Sequence, residues 1–264
     1  LNPLEKAEAI KLMDNSKIGM TAQNKVWLAG NVLVKGLLIG DIELVKKARN
    51  AINEEIKIAP DKKEGIKVDN SFHQHGAQLQ YGNYGAAYLA TMSFWAYVLS
   101  DSQLAIDEDR YGIICNMVNE GFQRVLWNNY LDINCMGRQF YINGQRHKGF
   151  SLLFSANALA AADKNCEASY RAFINENIGK SAPGKLGQYH FWRSDMTIQR
   201  EPQWMFSLKM SSDRVIGTEG GSENVKGYYL ADGATYTYVD GKEYENIFPC
   251  WDWRKIPGVT CFQS

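Results

Sequence analysis

The sequence has no net charge: 29 Lys and Arg face 29 Asp and Glu in 264 residues. Without a basic excess it lacks the electrostatic footprint of a nucleic-acid binder or a membrane-surface protein. No run of like charges forms an interaction tail. No apolar stretch of about 18 residues occurs, so no membrane span is expected. The longest candidate, Ala86 to Leu99, is too short and is broken by Thr91 and Ser93. No signal peptide stands at the start. The chain opens on Leu1 rather than a methionine and stops at Ser264 in a β-rich stretch. It therefore reads as a processed or truncated piece of something longer. The 5 cysteines are odd in number, so at least one is unpaired within the chain or bonds outside it. Cys250 and Cys261 flank a turn-rich segment and can pair in an oxidising compartment; the alternative is five free buried thiols.

What is present is ordinary for a folded protein: 45% hydrophobic and 22% charged residues exclude a disordered chain. The length suits one large domain or two smaller ones. With 7 Trp and 14 Tyr, the rings not needed in a core are available to line a sugar or ligand cleft.

Periodicity divides the chain in two. Asp41 can cap a segment whose Ile42, Val45, Ala48, Ile52 and Ile56 share one helical face, ended by Pro60 and the charged stretch 61–64. Residues 24–39 and 86–99 are apolar nearly all round, as in helices buried on several sides. Tyr111, Ile114, Val118, Phe122 and Val125 mark a more amphipathic helix, and 150–162 and 167–178 follow. Buried and half-exposed helices alternate at a spacing near 60 residues, which predicts helical hairpins packed side by side, one ring inside another. After Ser181-Ala182-Pro183-Gly184 the pattern becomes short β-like runs at 205–210, 227–230 and 234–239, punctuated by Gly220-Gly221, Asp232-Gly233 and Asp240-Gly241. The expected class is α+β, with an α-helical part over 1–182 and antiparallel β-sheet over 183–264.

The densest polar segment is Asp69-Asn70-Ser71-Phe72-His73-Gln74-His75-Gly76, running on to Tyr81-Gly82-Asn83-Tyr84-Gly85 just before a buried helix. Loops on rigid scaffolds are where catalysis usually resides. In an extended chain His73 and His75 share a face. They are either the start of a metal site, for which no third ligand lies nearby, or a surface loop with two solvated histidines.

This run resembles the signature of the polysaccharide lyase family that includes hyaluronate, chondroitin AC and xanthan lyases. Asn24 in Thr21-Ala22-Gln23-Asn24 and Gly137-Arg138 fit the same order. So do Ser222-Glu223-Asn224-Val225-Lys226-Gly227-Tyr228-Tyr229, Asp232-Gly233-Ala234-Thr235-Tyr236 and Trp251-Asp252-Trp253-Arg254-Lys255-Ile256-Pro257-Gly258-Val259-Thr260. The resemblance implies an incomplete α/α toroid followed by antiparallel β-sheets. It implies that this chain lacks the first toroid helices and most later sheets, and that the protein is secreted or periplasmic.

It also implies β-elimination on a uronic-acid polymer, a polyanionic polysaccharide of the chondroitin or hyaluronan type. A proton leaves C5 beside the carboxylate, and the C4–O bond breaks. Donors must hold that carboxylate as the enolate forms; Asn24 and His75 are the implied ones. Tyr84 is the implied base and then acid. A free phenol has a pKa of about 10 and needs help from a cation, for which Arg138 fits. Glu223 is expected to orient His75 by accepting from its ring. The family's second arginine, four residues after the first, is Ile142 here; Arg146 or His147 are the substitutes. Trp27, Trp95, Trp127 and Trp192 are candidate sugar platforms, Trp27 foremost because it lies one turn from Asn24. Trp27, Asn224 and Arg146 are the expected substrate contacts, and Lys25, Arg138, Arg146 and Lys148 the expected cations of the cleft. No cofactor signature appears, so metal-independent catalysis is expected, with a structural cation left open. Two other classes compete: a glycoside hydrolase using Asp69 and Glu223 as its carboxylate pair, and a non-catalytic carbohydrate-binding fragment.

Overall fold

A computed structural model describes residues 1–221 and 223–262; Ser222 of the Glu223 motif and the last two residues of the expected β part lie outside the described residues. The first helix, α1 (Pro3–Met13), buries none of its side chains and so leaves no apolar stripe. It is set by a capping box, in which Asn2 accepts from the Glu5 amide at 2.8 Å while Glu5 accepts from the Asn2 amide at 2.8 Å. Next come α2 (Ala22–Ile39) and α3 (Ile42–Glu55). They form a tight hairpin because Gly40 takes a left-handed φ of 74° and Asp41 caps the Leu44 amide at 3.0 Å. Two short strands, β1 (Gly65–Ile66) and β2 (Phe72–His73), pair antiparallel before α4 (Ala86–Leu99). Then α5 (Glu108–Asn116) runs through a π-helical turn, Met117–Phe122, into the short α6 (Gln123–Val125). A second small ribbon, β3 (Leu126–Trp127) with β4 (Tyr130–Leu131), leads to α7 (Gly144–Ala162) and α8 (Glu167–Asn177).

The helices α2, α4 and α7 pack in succession, with α3, the π-helical turn and α8 outside them. This is the expected layering of inner and outer helices. The inner helices are less enclosed than their composition suggests: Trp27, Val34 and Leu37 on α2, Phe94 and Tyr97 on α4, and Phe154 on α7 stay exposed.

The β part is one antiparallel sheet of four strands in sequential order, β5 (Gly187–Phe191), β6 (Met196–Glu201), β7 (Trp204–Lys209) and β8 (Ala234–Tyr238). Met196 pairs with Lys209 and Lys209 with Ala234. The expected runs at 205–210 and 234–239 are β7 and β8. Residues 227–230 are turn rather than strand, so Asp232-Gly233 closes no hairpin there. β5 and β6 are polar enough on their outer faces to hide from an apolar scan.

Alternation buries Met196, Ile198 and Arg200 of β6 and Tyr236 and Tyr238 of β8 against the helices. Arg200 donates to the Gln123 carbonyl (2.8 Å), the Leu126 carbonyl (2.9 Å) and the Gly184 carbonyl (3.2 Å), and pairs with Glu176 at 2.6 Å. Tyr238 donates to buried Asp132 at 2.9 Å and accepts from the Ile133 amide at 2.8 Å. These bonds lock the sheet onto 123–136, the segment that leads into Arg138. A disulfide joins Cys115 to Cys166 and ties α5 to the start of α8. Neither of the two alternatives read from the sequence holds: Cys115 and Cys166 are not free, and Cys250 and Cys261 do not pair, the Cys250 thiol being free and the Cys261 thiol donating to the Arg254 carbonyl at 2.8 Å. The spacing of Cys115 and Cys166 across two helices gave no local signal of that pairing.

Candidate functional site

Tyr84 lies in a π-helical turn, Tyr81–Gly85, that winds into α4. Such single turns within helices often mark functional sites. Gly82 makes this turn possible, because a Cβ there would stand 2.5 Å from the Cys135 carbonyl oxygen. The turn leaves Tyr84 partly exposed while Tyr81 beside it is buried.

His75 follows β2 with a left-handed φ of 59°, a conformation that costs energy for a residue with a side chain. Glu64 holds it there. Its carboxylate accepts from the His75 amide at 2.7 Å, the Gly76 amide at 3.3 Å and the Gln74 side chain at 2.7 Å, and it also bonds the Thr21 hydroxyl at the start of α2. The turn ends the extended alternation, so the two histidines do not share a face. His73 is buried against Ser194, with Nε2 at 2.9 Å from Oγ, while His75 turns to the cleft. Among the described residues, no cluster of three His, Cys, Asp or Glu side chains could hold a metal.

The connection 210–233 between β7 and β8 completes the site. Its Ile216 amide donates to the Ala77 carbonyl at 2.9 Å, and Gln78 donates to the Gly217 carbonyl at 3.1 Å. This stitching delivers Glu219. Its Oε1 lies 2.7 Å from His75 Nδ1 and accepts from Arg138 Nη1; its Oε2 accepts from Gln80 at 2.8 Å. The partner of His75 is therefore Glu219, not Glu223. Glu223 stands four residues on, more exposed, and accepts from Arg138 Nε at 3.1 Å. Sequence alone favoured Glu223 because it sits in the recognisable motif; Glu219 follows Gly217-Thr218 and carries no local signal.

Around the Tyr84 ring stand three groups. The His75 ring meets it edge-on at 4.8 Å, the Arg138 guanidinium carbon lies 5.7 Å from its centroid, and the Trp27 ring lies at 6.2 Å. Burial works against the Arg138 charge, but the Tyr84 phenol and the Glu219 carboxylate beside it outweigh burial and raise its pKa above the ordinary value. Asn24 lies one turn before Trp27 on α2, partly exposed, and its amide has no hydrogen-bond partner among the described residues. Its amide is therefore available to a ligand.

The other expected residues are placed as follows. Asn224 is 5% exposed; its side chain packs on Gly227 and lines a pocket with Thr218, Gly221 and Tyr228. Arg146 lies on the exposed face of α7, over its own helix's Phe150 at 5.3 Å, and His147 sits against Tyr141 at 6.0 Å. Lys148 donates to the Gln139 side chain at 2.5 Å; burial lowers its pKa and the charge of Glu223 opposes that shift. Lys25 is tied to Glu55 at 2.9 Å. Trp95 and Trp127 are core rings, Trp127 donating to the Val239 carbonyl at 2.8 Å. Asp69, the acid that a hydrolase would need, is fully buried and accepts from the Ser71 hydroxyl (2.7 Å) and the Arg193 amide (2.7 Å).

Residues 3–176 match the profile of the polysaccharide lyase family 8 N-terminal α-helical domain, and residues 186–264 match the super-sandwich domain of the same family. The chain is 30% identical over 269 residues to the chondroitinase-AC of Pedobacter heparinus, a match covering 98% of this chain and 38% of that protein. It is 26% identical over 280 residues to the xanthan lyase of a Bacillus species, covering 92% of this chain and 30% of that one. It thus spans well under half the length of these relatives. A solved chondroitinase AC lyase studied with bound oligosaccharides superposes with a TM-score of 0.87 at 25% identity, over 97% of this chain and 39% of that one. A Paenibacillus xanthan lyase shares the fold with a TM-score of 0.82 at 20% identity, over 98% of this chain and 28% of its own. The helical part has the architecture of the α/α toroid seen in chondroitinase AC lyase.

Proposed function

The chain belongs to polysaccharide lyase family 8, and on that premise we propose that it carries the β-elimination site of an enzyme that cleaves uronic-acid polysaccharides of the chondroitin or hyaluronan type. The observation that carries this reading is the Tyr84 phenol set between the His75 imidazole and the Arg138 guanidinium, both held by one carboxylate, Glu219.

In this mechanism the Asn24 amide and His75 donate to the uronate carboxylate, and accept charge as the enolate develops. Tyr84 takes the C5 proton. The C5–H electron pair becomes the C4–C5 double bond as the C4–O4 bond breaks, and the same phenol returns its proton to O4. Arg138 balances the Tyr84 phenolate before the first transfer and again after the second. Glu219 fixes the orientation of both His75 and Arg138, and Glu223 supports Arg138 from the solvent side. Trp27, half exposed beside Tyr84, offers its ring face to the CH face of a sugar. These side chains account for every proton and charge in the step, so no cofactor is assigned to it. The Cys115–Cys166 disulfide supports a secreted or periplasmic home, where such bonds persist.

The test is ultraviolet absorbance of the conjugated product on chondroitin and hyaluronan, for the chain and for Tyr84→Phe. Elimination that vanishes in the variant supports the reading. Reducing ends without that absorbance would point to hydrolysis, and binding with neither would leave a carbohydrate-binding fragment.

A further inference from the structure

A second polar cavity lies where the helical part meets the sheet, and none of its lining residues belongs to the Tyr84 cluster. Its volume is about 130 Å³, room for roughly four water volumes or one tetrahedral anion, and too small for a sugar ring. Its lining carries Lys62, Lys67, Arg193 and Arg214 against Asp61, with Arg214 also paired at 3.0 Å to Asp195, which lies outside the lining. Lys67, 1% exposed, spends its three protons on the carbonyls of Ala59, Pro60 and Lys63, so its charge meets no carboxylate directly.

Two buried nitrogens on this lining are without partners. His73, 2% exposed, bonds Ser194 through Nε2, and its Nδ1 is buried with no hydrogen bond among the described residues. In the tautomer in which the Ser194 hydroxyl donates to Nε2, Nδ1 carries the proton and is the donor. Arg193 pairs with Asp61 through Nη1 at 2.6 Å, but its Nε is buried and unpartnered. Orphaned buried donors in a positive enclosure call for an acceptor. Burial and then the charge of Lys67 press the His73 pKa down to about 3, so this field already disfavours one more cation. At the mouth Trp192 is 48% exposed, a ring placed to stack on a sugar whose charged substituent points inward.

We propose that this cavity, with Trp192 at its mouth, is a second glycan-binding site that seats one sulfate or carboxylate of a polyanionic polysaccharide. The inference rests on the reading that such a polymer is the substrate. It adds a place where a bound chain is gripped outside the Tyr84 cluster, through Lys62, Arg193, Arg214 and the His73 imidazole.

The test uses the 264-residue chain carrying Tyr84→Phe, so that oligosaccharide is not consumed, with its histidines labelled with ¹⁵N. The four imidazoles are assigned by single substitution and titrated with a sulfated chondroitin tetrasaccharide, an unsulfated hyaluronan tetrasaccharide and inorganic sulfate. The expected result is saturable movement of the His73 Nδ1 resonance with a tetrasaccharide, with affinity weakened about tenfold by Trp192→Ala and several-fold by Lys62→Gln. Both substitutions are at exposed positions. Inorganic sulfate should move the same resonance with no dependence on Trp192. A tetrasaccharide that moves only His75, or sulfate alone moving His73, would overturn the proposal, as would a His73 resonance that no ligand moves. Ultraviolet product formation by the unsubstituted chain is scored separately. Elimination with a silent His73 removes only this second site, whereas a responsive His73 without elimination removes only the lyase reading.

Discussion

Two polar clusters in this chain are assembled alike and serve opposite ends. Around Glu219, carboxylate, imidazole, guanidinium and phenol come together from positions 75, 84, 138 and 219 at the edge of a cleft. Beneath the sheet the same kinds of group meet in two pairs, Arg200 with Glu176 and Tyr238 with Asp132. The difference is water. In the buried cluster every bond also closes the seam between helices and sheet, so its charges are committed. In the Glu219 cluster the His75 and Tyr84 rings stay partly exposed, so the same kinds of group remain available to a substrate.

The sharpest way to separate the two is to remove one hydroxyl from the open cluster. Tyr84→Phe should reduce elimination by about 10²–10⁴-fold, the usual worth of a general acid–base group, with an unchanged urea midpoint. A variant that turned over at the original rate would take Tyr84 out of the mechanism.

The buried cluster should respond the other way. Arg200→Ala removes the donor to Glu176 Oε1 and to four backbone carbonyls and should cost about 3–5 kcal/mol of stability, read as a lower urea midpoint. Loss of turnover should track unfolding alone.

Glu219→Gln is the intermediate case. It keeps the shape and removes the charge that aligns His75 with Arg138. A fall of about 10–100-fold in kcat with a displaced pH profile and little change in melting temperature is expected for a positioning residue. A fall in melting temperature with an unmoved pH profile would make Glu219 merely structural.

The smallest effect is a pH dependence of stability. Burial, against hydrogen bonds from neighbours including Tyr238, pushes the Asp132 carboxyl up to about 6. The folded chain then binds that proton more tightly than the unfolded one, whose carboxyl titrates near about 4. This contribution is complete below about pH 4 and is lost as pH rises through about 6. His73, lowered to about 3 by burial, slopes the opposite way: its contribution is complete above about pH 6.5 and is lost as pH falls. The two offset in the native chain. Asp132→Asn should therefore leave the His73 slope alone, with stability rising by about 1–2 kcal/mol between pH 4.5 and 6.5 relative to the parent. Parallel denaturation curves for the two proteins would show that Asp132 is ionised in the fold.

Much of this was legible along the chain. The helix Ala86–Leu99, the Asp41 cap and the two strands β7 and β8 follow from periodicity and turn chemistry, because each is decided within a few residues. His75, Tyr84 and Arg138 stand together as the motif order implies, and Trp27 joins them. The motif points to Glu223 as the partner of His75, whereas Glu219 takes that place, because a motif carries order but not direction. The stitching of Ile216 to Ala77 decides that position, and it depends on contacts across a long stretch of chain.

Local physics, written in the order of residues, determined where helices start, which strands have a buried face, and which side chains carry acid–base chemistry. Only the folded molecule decided which carboxylate reaches the imidazole, which of two neighbouring histidines is sealed from water, and which cysteines bond. Those outcomes turn on distances of a few ångströms between residues far apart in sequence, and no pattern along the chain encodes such a distance.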